Sequence, residues 1–293
     1  MTKILRSLLF VPGDSQKKLT KALGLDADAL ILDLEDAVLP ENKDTARDMC
    51  AEFLKTAKTP SQIWVRINPL ESEHALKDLA TVIPHTPAGI MLPKPDGPVD
   101  METLGNHITR LEKKHGLLAG QIKTLPVVTE TARAVMNLGL YPRTYLPRLL
   151  GMTWGAEDLA TDLGALANKN KKGKFHFTYQ MVRSQTLLNA KAADVQAIDT
   201  LYSDFRDKDG LRKYACAAFE EGFSGMLAIH PAQVDIINES FMPNAAQIVR
   251  AKNVIDAFAK NPGAGAVSVG SKMADIPHLK QAQNILALTK TYT

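Results

Sequence analysis

Eight short apolar runs recur between residues 7 and 229, separated by segments with helical spacing, and this alternation restricts the chain to very few architectures. The runs are 7–11 (SLLFV), 28–34 (DALILDL), 63–67 (IWVRI), 89–92 (GIML), 125–129 (LPVVT), 146–153 (LPRLLGMT), 195–200 (VQAIDT) and 225–229 (GMLAI). Each has the length of a strand rather than a helix. Between them, residues 15–23, 41–55, 75–83, 101–115, 179–192 and 209–220 space their apolar side chains as helices do. Strands alternating with helices build a parallel sheet, and eight such units predict an α/β fold of the (β/α)8 TIM-barrel type. The main rival is a doubly wound open sheet. Its phosphate-binding GxGxxG should follow the first strand, where this chain reads FVPGDSQ. A chain of 293 residues accommodates one such barrel, expected over 1–232. The remainder, 233–293, predicts a C-terminal extension with helices at 233–241, 245–260 and 276–289 and a flexible small-residue segment at 262–271 (PGAGAVSVGS). Such an arm needs a surface, either the barrel mouth of its own subunit or that of a neighbour.

In a barrel of this kind the catalytic groups stand where the strands end. The residues just beyond the apolar runs are Asp14, Asp33, Glu35, Asp36, Arg66, Lys94, Glu130, Asp158, Asp204 and His230. Glu130 and Asp158 follow the fifth and sixth runs and form the best pair for a shared cation, because a bare carboxylate beside a buried strand end is costly until something neutralises it. Oxygen donors without a Cys or His cluster favour a hard ion, Mg2+ over Zn2+. Glu157 and Asp162 read more simply as acidic residues in a new helix. Arg66 inside a barrel strand calls for an anion, since its charge cannot be removed. That anion is a substrate oxygen or, as permanent structure, Glu35 or Asp36. Lys94 lies between Pro93 and Pro95, where it is either a Schiff-base nucleophile or part of a rigid surface loop. His230 before Pro231 suits an acid–base role or a hydrogen-bonded structural one. Lys17, Lys18 and Lys21 suit phosphate binding or a solvated helix face, and 169–174 (KNKKGK) reads as a charged loop.

The formal net charge of +3, with 45% hydrophobic and 23% charged residues, describes an ordinary globular protein. No basic, aromatic-laced stripe is present, so no nucleic-acid partner is expected. The two cysteines, Cys50 and Cys216, lie far apart in helix-like context and read as buried free thiols of a reducing compartment. The apolar run before Pro12 is too short for a signal peptide or a membrane span. A cytoplasmic location without membrane association is expected.

Seven stretches carry a resemblance: RSLLFVPGD, ALILDLEDAV, VRIN, TETA, WGAEDLATDLG, GFSGMLAIHPAQV and SKMADIPHLKQAQ, in this order along nearly the whole chain. Together they resemble the citrate lyase beta subunit-like proteins of the HpcH/HpaI aldolase superfamily, which include malyl-CoA, methylmalyl-CoA and citramalyl-CoA lyases. The resemblance implies a Mg2+-dependent homotrimeric barrel enzyme that cleaves a β-hydroxyacyl-CoA to acetyl-CoA and a 2-oxo acid, or runs the reverse condensation, with coenzyme A as part of the substrate. It implies Glu130 and Asp158 as metal ligands and Arg66 at the substrate, with Glu130 expected to reach the substrate too; Lys17 and Lys21, from their place on the helix after the first strand, are expected toward its phosphates. Asp33, Glu35 and Asp36 would orient Arg66 and the metal's waters. Asp275 in KMADIP would be the catalytic acid–base, delivered by the arm of a neighbouring subunit. Before that motif the chain reads VGSKM, with Gly270 where relatives often carry an aspartate. The stretch 203–207 (SDFRD) is similar to the branch acting on malyl-type or methyl-bearing thioesters. Two alternatives share the scaffold: an acyl-CoA thioesterase, and a non-catalytic subunit of a citrate lyase-like complex.

Overall fold

The structure, a computed structural model, describes residues 4–291. It divides into two compact units, Ile4–Asn238 and residues 239–291. The first unit is a TIM barrel. Its strands are β1 (Ser7–Pro12), β2 (Ala29–Asp33), β3 (Gln62–Arg66), β4 (Gly89–Leu92), β5 (Lys123–Pro126), β6 (Gly151–Thr153), β7 (Gln196–Asp199) and β8 (Gly225–Ala228). All pairings among them are parallel, and β1 lies between β2 and β8. Single bridges, Thr124 to Leu149 and Val127 to Thr153, join β5 to β6. This seam is thin for a local reason. Thr124 N–H donates to Arg148 O and Val128 N–H to Thr153 O, but the intervening donor position is Pro126, which has no N–H. The sixth run expected over 146–153 therefore keeps regular strand only at its end.

Helices α1 (Gln16–Ala22), α2 (Lys43–Thr56), α3 (Ala75–Val82), α4 (Pro98–Lys114), α5 (Ala132–Asn137), α6 (Glu157–Asp162), α7 (Phe177–Ala192) and α8 (Lys208–Glu221) follow β1 to β7 in turn, α6 and α7 both falling between β6 and β7 and α8 between β7 and β8. The barrel interior is filled by side chains that include Leu8, Ile31, Trp64, Met91, Val127 and Ile198. Trp64 is the largest of them and fully buried; a Cβ at Gly89 on the adjacent strand would stand 2.2 Å from its ring, so the absence of a side chain there makes room for the indole. At β8, a Cβ on Gly225 would meet Leu5 O at 1.9 Å, which fixes how closely the chain before β1 approaches. The barrel unit runs six residues past the expected boundary at 232. Asn238, in α9 (Val234–Ser240), accepts from Ser7 Oγ and donates to Asp26 O, both at 2.7 Å, and so belongs to this unit.

The second unit contains α10 (Ala245–Lys260), a hairpin of β9 (Ala266–Val269) and β10 (Lys272–Asp275), and α11 (Ile276–Thr291). Its core joins Val254 and Phe258 of α10 to Val267, Ala274 and Ala282. The segment expected to be flexible is half of this hairpin. Val267 alternates with exposed neighbours as one strand face does, and Gly270, at φ 60°, supplies the left-handed residue of a two-residue turn.

Candidate active site

At the end of β2 the chain must turn, and Asp33 makes the turn and the site at once. Its buried carboxylate accepts from the backbone N–H of Glu35 (3.0 Å) and Ala37 (3.2 Å). The same two oxygens receive the fork of Arg66, Nε at 2.7 Å and Nη2 at 2.6 Å. Parallel register sets Asp33 beside Arg66 at the ends of β2 and β3, so this pairing follows from the barrel itself. Arg66 Nη1 also lies 3.0 Å from Glu35 and 3.7 Å from Asp36, and its guanidinium covers the Phe10 ring at 4.7 Å. Burial alone would lower the pKa of Arg66, but Asp33 foremost, then Glu35 and Asp36, carries it above the ordinary value. Lys43 of α2 braces the turn by donating to Leu34 O and Glu35 O, both at 2.8 Å.

Lys94 links this cluster to the next strands. It takes a left-handed φ of 51° between its two prolines, a conformation that is uncommon for a residue with a side chain. Its backbone N–H donates to Glu130 and its ammonium to Glu35, with Asp36 at 3.6 Å and Asp158 at 3.7 Å. The surface-loop expectation is thereby corrected. Burial disfavours the Lys94 charge, yet Glu35, Asp158 and Asp36 outweigh it and hold the amine protonated above the ordinary lysine range. A Schiff-base lysine needs the opposite shift, so the geometry argues against that chemistry.

Glu130 is buried at the end of β5, and its carboxyl is pushed well above the usual range, first by burial and then by Asp158 and Glu35. It packs on the turn after β6: a Cβ at Gly155 would stand 3.0 Å from Glu130 Cγ, and Gly155 N–H donates to Thr129 Oγ at 3.1 Å. Asp158 follows in the first turn of α6. Glu130, Asp158, Arg66, Asp33 and Asp36 all line one cavity of 410 Å3 at the C-terminal ends of the strands. Among the described residues no three His, Cys, Asp or Glu side chains form a ready-made metal cage. Two carboxylates facing open space are nonetheless what Mg2+ requires, since it retains several waters or substrate oxygens. The buried Glu130, destabilised as an anion by its neighbours, fits a site that a hard cation neutralises.

A sequence profile of the HpcH/HpaI aldolase/citrate lyase family matches residues 6–231. The chain belongs to this family. Among curated relatives, it is 34% identical to the mitochondrial citramalyl-CoA lyase of Rattus norvegicus, over 97% of this chain and 85% of that protein. Identity is 32% to the citrate lyase subunit beta of Haemophilus influenzae, covering 99% of this chain and 98% of that one. It is 33% to a (3S)-malyl-CoA thioesterase of Cereibacter sphaeroides, covering 96% and 93%. A crystal structure of the protein CitE from Mycobacterium tuberculosis, in complex with magnesium, acetoacetate and coenzyme A, superposes with a TM-score of 0.80 at 28% identity over 98% of both chains. This chain is therefore an enzyme of the aldolase/citrate lyase family, whose relatives here are named as two lyases and a thioesterase and whose structural neighbour holds magnesium and coenzyme A.

Of the other residues singled out by this HpcH/HpaI family resemblance, or by the sequence alone, Glu157 lines the same cavity. Lys17, Lys18 and Lys21 are exposed on α1, and none of them lines the cavity. Asp275 ends β10 in the second unit, where His278 Nδ1 sits 2.5 Å from Oδ1 and, with its backbone N–H, holds the carboxyl below its usual range. His230 Nδ1 accepts from Ala232 N–H at 3.1 Å, and the ring stacks on Phe205. Asp204 is exposed and caps Arg206 N–H. Asp14 accepts from Asn42 Nδ2 at 3.4 Å. Glu157 opens α6, while Asp162 accepts from Ala132 N–H at 2.7 Å. Cys50 is buried, and burial pushes its thiol up, away from nucleophilic use; Cys216 is only half-buried, a correction to its expected burial.

Sequence reasoning missed Asp199. This buried residue of β7 accepts from Trp154 Nε1 at 2.7 Å, from the Arg183 fork at 2.8 to 2.9 Å and from Tyr214 at 3.3 Å. It thereby fixes Trp154, a wall of the cavity. The carboxylate inside the apolar VQAIDT run was the available signal.

Proposed function

We propose that this chain is a Mg2+-dependent carbon–carbon lyase that cleaves a β-hydroxyacyl-CoA of citramalyl-CoA or malyl-CoA type to acetyl-CoA and a 2-oxo acid, with the reverse condensation open to the same groups. The observation that carries this reading is the convergence of Glu130, Asp158 and Arg66 in one cavity at the strand ends. Glu130 and Asp158 would hold Mg2+, which when bound chelates the substrate's carboxylate and hydroxyl and lowers the pKa of that hydroxyl. Arg66, kept charged and oriented by Asp33, is placed to stabilise the enolate oxygen of the acetyl-CoA half as the carbon–carbon bond breaks. The hydroxyl proton must leave as the carbonyl of the 2-oxo acid forms, and one proton must be returned to the enolate carbon, so the cleavage is proton-neutral overall. Asp275 is assigned that transfer, on the family motif, from the arm of a neighbouring subunit in a homotrimer. Lys17 and Lys21 are assigned to the coenzyme A phosphates.

The thioesterase relative supports a second reading, in which water attacks the same thioester and releases coenzyme A and a hydroxy acid. The test is turnover of malyl-, methylmalyl- and citramalyl-CoA with Mg2+ and with excess chelator. Mg2+-dependent consumption of one thioester, absent in Glu130→Gln and Asp158→Asn, is expected. Equal turnover in chelator, or in both variants, would contradict the site.

A further inference from the structure

Arg66 lines the cavity and Lys94 reaches its carboxylates, and both cations are already paired. Arg66 is shared among Asp33, Glu35 and Asp36, and Lys94 among Glu35, Asp36 and Asp158. An anionic substrate whose one carboxylate goes to the metal therefore finds no unpaired cation on the cavity floor for its remaining charge.

Lys169 differs. Its half-buried ammonium lies 4.5 Å over the ring of Phe175, which lines the cavity, and 5.8 Å over that of Tyr202. No hydrogen-bond or ion-pair partner reaches it among the described residues, although Glu157 is near enough to be felt electrostatically. Burial draws its pKa below the ordinary lysine value, so a partner anion would be favourable there. The segment holding it is built rather than loose. Lys169 and Phe175 face each other across an antiparallel bridge, and Asn170 closes the turn by accepting, through Oδ1, from the N–H groups of Lys172 (2.9 Å) and Lys174 (3.2 Å). Gly173, at φ 75°, completes it. Two aromatic faces thus hold an unpaired ammonium against Phe175, a wall of the cavity, with Lys171, Lys172 and Lys174 exposed on the same hairpin.

We propose that the 169–175 hairpin is an anion clamp of the substrate cavity, in which Lys169 binds an oxyanion group of the thioester that the metal and Arg66 do not take. This rests on the lyase reading above. Two sources offer that chemistry: a phosphate of coenzyme A, or a second carboxylate on the acyl group.

The experiment compares wild type, Lys169→Met and Lys169→Arg in the full chain with Mg2+, on an acyl-CoA and on the matching acyl-pantetheine, which has no phosphates. Methionine retains the packing on the two rings, and melting temperature checks the fold. Lys169→Met is expected to raise KM for the acyl-CoA about tenfold with kcat little changed, to weaken the salt dependence of KM, and to be rescued by arginine. A rise confined to the acyl-CoA identifies a phosphate; an equal rise on both substrates identifies the carboxylate. An unchanged KM on both overturns the clamp while the lyase reading stands. If wild type turns nothing over, calorimetric binding of coenzyme A decides. Lys169-dependent affinity keeps the clamp and removes the lyase, whereas no binding by wild type removes both.

Discussion

As the proposed metal ligand, Glu130 would tie stability to metal through a single carboxyl. Its folded pKa lies above the ordinary value of 4.5, chiefly through burial. The native state therefore holds this proton more tightly than the unfolded chain does. Its contribution is fully favourable below the unfolded value, falls as pH rises from there through the raised folded value, and stays at its lowest above it. In chelator, the melting temperature is expected to fall between pH 5 and pH 8 by more in wild type than in Glu130→Gln, with Mg2+ restoring wild type at pH 8. Equal pH slopes in the two proteins would contradict this. Asp33 acts by holding Arg66 and the turn after β2 together, so Asp33→Ala strands a buried guanidinium. A loss of about 3 kcal/mol in denaturant unfolding is expected, and a loss near zero would show that Glu35 and Asp36 suffice. At this scale the sequence displayed the positions but not the pairings. Arg66 needed an anion, and Glu35 and Asp36 were legible as its partners. That Asp33 takes the fork, and that Lys94 spans three carboxylates, depends on strand register and a left-handed backbone that no local pattern encodes.

Between residues and fold stand the elements that deliver them. The turn after β6 brings a glycine against Glu130 because any side chain there would press on its Cγ. Gly155→Ala is expected to weaken Mg2+ binding about tenfold, by displacing a ligand that must sit within about half an ångström of its place, while the melting temperature moves little. Calorimetry with Mg2+ checks it, and unchanged affinity would mean Glu130 has slack. In the second unit, the β9–β10 hairpin turns at Gly270. A valine there meets a positive φ and should cost about 1 to 3 kcal/mol, read as faster amide exchange across 266–275 with the barrel amides unaffected. Uniform slowing or no change would count against that turn. The barrel strands were legible because buried parallel strands leave unbroken apolar runs. β6 was overread, since Pro126 breaks the ladder beside it. The hairpin was underread, because PGAGAVSVGS is dominated by turn formers and its strand alternation spans only Val267 and Val269.

For the whole molecule, the (β/α)8 architecture was readable from the eightfold alternation alone. The role proposed for Asp275 rests only on motif resemblance, as no spacing within the barrel points to a residue in the second unit. The trimer proposal makes a distinct prediction. Asp275→Asn mixed with Arg66→Ala should recover part of the activity that each lacks, if subunits exchange and the arm serves a neighbour; in a covalently linked pair of the two variants, no recovery would place the arm in cis. No helix among the described residues is long and apolar enough to cross a membrane. The central claim is the bond that breaks, and product identity decides it most directly. Citramalyl-CoA and malyl-CoA are incubated with the Mg2+-loaded full chain, and acetyl-CoA, free coenzyme A, pyruvate and glyoxylate are quantified by mass spectrometry. Acetyl-CoA and one 2-oxo acid in equal amounts are expected from at least one substrate. Free coenzyme A with the intact hydroxy acid, and no 2-oxo acid, would contradict it.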